Sequence, residues 1–210
     1  MKKKNNTVVN NGKNIINSFI GENCQIDDNC KIINSVILNN VKISLNSKLE
    51  NCKVGNNTNI ESSNLCETEI GNDCEIGPFA RTRNYVRIGD NCKIGNFVEI
   101  KNSKIGSNTK VSHLAYVGDA KVGSGCNIGC GVVFVNYNGK IKQKITIGDN
   151  SFIGCNCNLI APLNIEKNTY ICAGTTVTND VNEFDFVIGR KRQVVKKNLA
   201  KKYLKEIVDD

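Results

Sequence analysis

Tryptophan is absent from this 210-residue chain, histidine and methionine occur once each, proline twice, and aromatic residues make up only 6%. With so few rings, aliphatic side chains must fill the interior. A single histidine excludes any metal centre built on three imidazoles. No apolar run approaches the roughly 18 residues of a membrane-spanning helix, so no membrane segment or membrane partner is expected. The opening stretch MKKKNNTVVNNGKN lacks the apolar core of a signal peptide.

Cysteine, by contrast, is plentiful at eleven. The odd count and the missing export signal argue for reduced thiols in the cytoplasm rather than a disulfide framework. Charge is also plentiful and uneven. The net charge is +8, and residues 190–205 (RKRQVVKKNLAKKYLK) hold eight of the 28 basic residues. Such a run is either a solvated helix face or a contact for an anionic ligand or nucleic acid. No nucleic-acid reading motif accompanies it, so no nucleic-acid partner is expected.

The strongest signal is a repeat. Aliphatic residues recur mostly every six positions: Ile20, Ile26, Ile32; Ile70, Ile76; Ile88, Ile94, Ile100; Val122, Ile128, Phe134; and Ile147, Ile153, Leu159, Ile165, Ile171, Val177. Glycine commonly follows, as in IGENCQ, IGNDCE and IGDNCK, and Thr82 is a polar rung. A helix would place apolar residues three and four apart. A period of six fits short strands with turns at Gly and Asn, which accept positive φ, and is the signature of a parallel β-helix. The expected fold is all-β, a triangular prism of about nine coils and roughly 43 Å at ~4.7–4.9 Å per strand. Its expected divisions are an N-terminal arm (1–19), the β-helix (20–181) and a C-terminal tail with a basic helix (182–210). In that helix Val195, Leu199, Leu204, Ile207 and Val208 could share a face.

Six cysteines (Cys24, Cys30, Cys74, Cys92, Cys126, Cys157) stand two positions before a rung. Alternation turns both residues inward, where a free thiol is a small apolar filler. The pair Cys155 and Cys157 lacks the partner pair of a zinc motif, so no metal is expected. The ladder breaks once, at VNYNGKIKQKIT (135–146), an excursion loop leaving a corner. Loops on rigid scaffolds often carry function.

From about Ile70 to Arg190 the sequence resembles the acetyltransferase domain of bifunctional UDP-N-acetylglucosamine pyrophosphorylase/glucosamine-1-phosphate N-acetyltransferases. The resemblance rests on IGPFARTR (76–83), IGNFVEIKNSKIG (94–106), VSHLAYVGDAKVGSGCNIGCG (111–131), VNYNGKIK (135–142) and CAGTTVTNDV (172–181). It implies a left-handed β-helix, a homotrimer with shared active sites, and transfer of acetyl from acetyl-CoA to glucosamine 1-phosphate. It implies His113 as general base and Arg83 and Lys101 as holders of the sugar phosphate. Tyr116 and Asn127 would contact the sugar, and Asn136, Tyr137 and Lys142 would form an arm completing the site. Cys130, Cys155, Ala173 and Arg190 would line the acetyl-CoA site, with the Cys130 N–H facing the oxyanion. The family's pyrophosphorylase domain would precede residue 1 and carries a Gly-rich nucleotide loop not found here. The acetyltransferase half alone is therefore expected, with a separate pyrophosphorylase chain as a conceivable partner.

The repeat supports these roles in part: Arg83, Lys101, His113, Tyr116 and Asn127 avoid every inward position, so all five should project outward or sit at corners. Glu99, one coil before, is a candidate to orient the His113 ring. The sequence departs from the family pattern at Asn84 (for proline), at Asn138 (for aspartate), and at Cys130 and Cys155. These departures bear mostly on the acceptor. Two alternatives therefore stand: an N-acetyltransferase for another, nucleotide-linked amino sugar, and a non-catalytic trimeric scaffold. A zinc carbonic anhydrase on the same prism is excluded by the lone histidine.

Overall fold

The computed structural model describes residues 7–9 and 14–204. The chain winds as a left-handed parallel β-helix of about ten turns. Three parallel sheets of eleven, ten and nine strands form the faces, and each coil adds one short strand to each sheet. Parallel crossovers are normally right-handed where a strand feeds a helix; here tight corners replace the helix.

Register explains the repeat. On the first face Ile26, Ile43, Ile60, Ile76, Ile94, Val111, Ile128, Ile153 and Ile171 stack rung on rung. All of them are buried, and the other two faces repeat the pattern. Each fully buried aliphatic rung contributes about 1.5–3 kcal/mol. Thr82, the polar rung, is buried and bonded to Thr68 Oγ1 at 2.6 Å.

The six cysteines predicted inward are buried, as are Cys52 and Cys172. All of these thiols but that of Cys172 donate to carbonyls one coil on, as from Cys24 to Leu38 at 3.0 Å and from Cys92 to Gly106 at 3.1 Å. Thr58 and Thr109 occupy equivalent positions and do the same. Burial raises the thiols of Cys24, Cys30, Cys126 and Cys157 and pushes Cys52 up to about 11.

Asparagine earns its abundance at the corners. Asn23, Asn40 and Asn57 have φ of 56°, 59° and 58°, a region that Asn tolerates. Their side chains stack, with Asn40 Nδ2 donating to Asn57 Oδ1 at 3.0 Å and Asn57 to Asp73 at 3.0 Å. Glycine follows rungs where coils nearly touch: a Cβ at Gly55 would collide with the Gly71 carbonyl.

Three expectations are corrected. Strands Val8–Val9 and Ile15–Ile16 already pair with later coils, so the ladder begins before residue 20. It also runs to Phe186–Val187, which accounts for the additional turn. The C-terminal α-helix is not found among the described residues: Leu199–Lys202 form a 3₁₀ turn that buries nothing. Val195, Leu199 and Leu204 are exposed, while Ile207 and Val208 lie outside the described residues. Among the described residues, no helix is long and apolar enough to cross a membrane.

Candidate active site

His113 ends the strand Lys110–His113 on the first face, next to the corner. Its Nδ1 lies 2.6 Å from Oδ1 of Asn96, one coil and 17 residues earlier. An amide oxygen only accepts, so this contact makes Nδ1 the donor and leaves Nε2 outside the bond, turned to other partners. The ring is exposed, as expected of a non-core histidine. Glu99 does not orient it. That carboxylate turns instead to Arg83, with Nε and Oε1 at 2.8 Å. The reason is topological: Glu99 belongs to the second face, whereas Asn96 is the register partner of His113. Asn96 was missed in the sequence. Its signal was a position one coil before the histidine.

The stacking continues through the proposed acetyl-CoA residues. Each of Asn96, His113, Cys130, Cys155 and Ala173 stands two positions after a rung of one ladder (Ile94, Val111, Ile128, Ile153, Ile171). They form one corner column. At ~4.7–4.9 Å per coil it runs about 14 Å from His113 to Ala173. Arg190 closes its far end, Nη1 donating to the Ala173 carbonyl at 3.1 Å. Cys130 and Cys155 are exposed thiols. Among the described residues, the backbone N–H groups of Cys130, Cys155 and Ala173 meet no hydrogen-bond acceptor.

Arg83 and Lys101 are direct register partners on the second face. Arg83 is half-buried, and among the described residues its Nη groups meet no acceptor. Lys101 sits at a corner, one of the two placements expected for it, yet it is only 6% exposed. It ends its strand beside Asn102, a corner residue at φ 46°, and folds along that corner to Asp119, with Nζ 3.2 Å from Oδ2. Asp119 also accepts from Asn102 Nδ2 at 2.6 Å and from Asn136 Nδ2. Burial alone would raise this carboxyl; the bonds from Asn102, Lys101 and Asn136 override it and hold it below the usual carboxylate range.

Tyr116 is half-buried over Gly118, where a Cβ would collide with its hydroxyl and lie 2.8 Å from Asn136 Nδ2. Asn136 itself is buried at the foot of the excursion loop. Beyond it, Tyr137 and Lys142 form an antiparallel bridge at an exposed tip. Asn127 is half-buried on the first face, paired with Lys110 and Phe152.

One chain therefore places the two groups on different faces, His113 at the end of a first-face strand and Arg83 and Lys101 at the ends of second-face strands. The cavity beside His113, about 290 Å³, is lined by Glu75, Pro78, Lys93 and Asn96 among others, and by none of Arg83, Lys101, Tyr116 or Asn136. A roomier cavity of about 590 Å³ on the third face contains none of the candidates.

Comparison with known proteins places this architecture. Residues 5–84 match the GlmU-like C-terminal hexapeptide model, and residues 67–102 match the bacterial transferase hexapeptide model of six repeats. The bifunctional protein GlmU of Clostridium novyi is 46% identical over 148 residues, covering 70% of this chain and 32% of the relative. The chain belongs to the hexapeptide transferase family, in its GlmU-like branch. Another GlmU-like relative, the bifunctional protein GlmU of Acetivibrio thermocellus, is 44% identical over 66% of this chain and 30% of its own length. The chain thus spans about a third of the length of the curated relatives it matches. Among solved structures, LpxA of Bacteroides fragilis, a UDP-N-acetylglucosamine acyltransferase, superposes with a TM-score of 0.57 at 22% identity, over 89% of this chain and 70% of that one. The UDP-N-acetylglucosamine acyltransferase of Campylobacter jejuni gives 0.54 at 16% identity, over 91% and 79%. These two share the fold.

Proposed function

We propose that this chain transfers acetyl from acetyl-CoA to the amine of glucosamine 1-phosphate, giving N-acetylglucosamine 1-phosphate for UDP-N-acetylglucosamine synthesis. The observation that carries the reading is His113 held through Nδ1 by Asn96 at 2.6 Å, at the head of the Cys130–Cys155–Ala173 column. Nε2 takes a proton from the sugar ammonium. The freed amine attacks the thioester carbonyl, the C–S bond breaks, and coenzyme A leaves as its thiol. General base catalysis of this kind is worth about 10²–10⁴-fold. The unpaired N–H of Cys130 is the donor to the oxyanion. Arg83 grips the phosphate through its unengaged Nη groups, with Lys101 beside it, and Tyr116 and Asn127 contact the sugar. Arg190 and the basic tail face the phosphates of coenzyme A. Cys130 is not needed as a nucleophile, since amine and thioester held side by side react directly.

The separation of His113 from the phosphate anchors within one chain favours a site completed between copies, a homotrimer in which the arm of Asn136, Tyr137 and Lys142 reaches a neighbour. Eleven free thiols support a reducing, cytoplasmic setting. The test is thiol release from acetyl-CoA, assayed with glucosamine 1-phosphate and a panel of nucleotide-linked amino sugars. Release with glucosamine 1-phosphate that collapses in His113→Ala supports the reading. Preference for a nucleotide-linked sugar, or no release with any acceptor, overturns it.

A further inference from the structure

Lys101 and Asp119 are the only buried charged side chains among the described residues. The carboxylate of Asp119 meets three donors: Lys101 Nζ at 3.2 Å, Asn102 Nδ2 at 2.6 Å, and Asn136 Nδ2. Its backbone is engaged as well. Asp119 N donates to the Lys101 carbonyl at 3.0 Å, and the Asp119 carbonyl accepts from Ile145 N at 3.3 Å. Asn136 and Ile145 are the two feet of the excursion loop. Between them Gln143 N donates to the Asn136 carbonyl at 2.8 Å, and the tip beyond is exposed.

The backbone does not demand aspartate here. Asp119 has φ 51°, and the equivalent corners one and two coils earlier carry Asn102 at 46° and Asn84 at 59°. Asparagine suits that geometry as well. The surroundings make the difference, because all three side-chain neighbours are donors. A carboxylate accepts from all of them, whereas an amide would turn its own N–H₂ toward one. A lysine ammonium has three N–H groups, so the bond to Asp119 aims the head while leaving donors for an anion.

We propose that Asp119 is a positioning residue, one carboxylate that sets both the Lys101 ammonium and the two feet of the excursion arm, so that sugar-phosphate binding and arm placement depend on the same group. This rests on the reading of Lys101 as a phosphate holder. Asp119 itself touches no substrate.

The test compares wild type with Asp119→Asn and with the double variant Lys101→Met/Asp119→Asn, which leaves no unpaired buried charge and so guards against a single variant that fails to fold. Two readouts are taken. The first is trypsin cleavage after Lys140, Lys142 and Lys144, mapped by mass spectrometry, which needs no activity. Faster cleavage at the arm in both variants is expected. The second is kinetic: KM for glucosamine 1-phosphate should rise about tenfold in Asp119→Asn, with KM for acetyl-CoA unchanged. Lys101→Met alone should raise it similarly, and the double variant should add little further. Arm cleavage at the wild-type rate overturns the proposal. So do an unchanged sugar-phosphate KM and losses that simply multiply in the double variant. If wild type shows no turnover with glucosamine 1-phosphate, the functional reading fails, and the cleavage pattern still decides whether Asp119 holds the arm.

Discussion

The coils before residue 75 and those after it obey one rule for the interior and different rules for the corners. In the earlier coils the first corner carries Asn29 and Asn46, residues at home in the left-handed region, with Leu45 at φ 26° the bulky exception, and among the described residues no charge is buried there. In the next three coils the same corner carries Phe79, Phe97 and Leu114, with φ of 60°, 58° and 43°, each more than half exposed, before Gly131, Asn156 and Gly174 return it to residues that accept positive φ. Bulky residues at positive φ are strained, and such strain collects at functional surfaces. These three flank Asn96 and His113, and Phe79 stacks on Phe97 at 5.4 Å. The buried ion pair of Lys101 with Asp119, the only one among the described residues, also belongs to this half. Coils that keep the repeat build the prism; coils that break it mark the site.

Labelling the thiols would sharpen that contrast most. Cys130 and Cys155 lie exposed on the later coils, while the earlier coils hide Cys24, Cys30, Cys52 and Cys74. A thiol reagent should modify Cys130 and Cys155 at once, and the buried cysteines orders of magnitude more slowly, at the rate of opening. Acetyl-CoA should protect the first two. Equal rates across both halves would break the comparison. Next in size, His113→Ala should lower acetyl transfer about 10²–10⁴-fold, whereas Asn40→Ala, at a corner of the earlier coils, should change stability and leave turnover untouched.

Alkali probes the shared interior. Cys52 is held protonated up to about 11 against an ordinary value of 9.0. Because the folded value is raised, its contribution is intact below pH 9 and is lost as pH climbs toward 11, by about 2–3 kcal/mol. Urea unfolding across that range checks this, and Cys52→Ser, matching Ser35 and Ser47 at equivalent positions, should flatten the decline. The smallest effect is expected for Phe97→Asn. It should relieve about 1 kcal/mol of backbone strain while weakening association, read by sedimentation; unchanged association would separate the corner from the interface.

The interior was legible because alternation along a strand is rigid. The rungs, the inward cysteines and the polar rung at Thr82 all stand where a period of six puts them. The site was only partly legible. Alternation says that Lys101 leaves its strand outward; it does not say that a long side chain at a corner folds back to Asp119, 18 residues on. The partnership of Asn96 with His113 spans a full coil and depends on register across a five-residue step at Ile100 to Ile105. The tail resisted for another reason: helical spacing stabilises a helix only where its apolar face is buried, and Leu199–Lys202 bury nothing, so the segment makes only a single 3₁₀ turn.

A structure of the protein with glucosamine 1-phosphate and coenzyme A bound would be the most direct measurement. The sugar nitrogen should lie within hydrogen-bond reach of His113 Nε2, with the phosphate on Arg83 and Lys101 and the pantetheine thiol along Cys130 and Cys155. A sugar seated away from that imidazole, with its nitrogen facing some other group, would contradict the role given to His113.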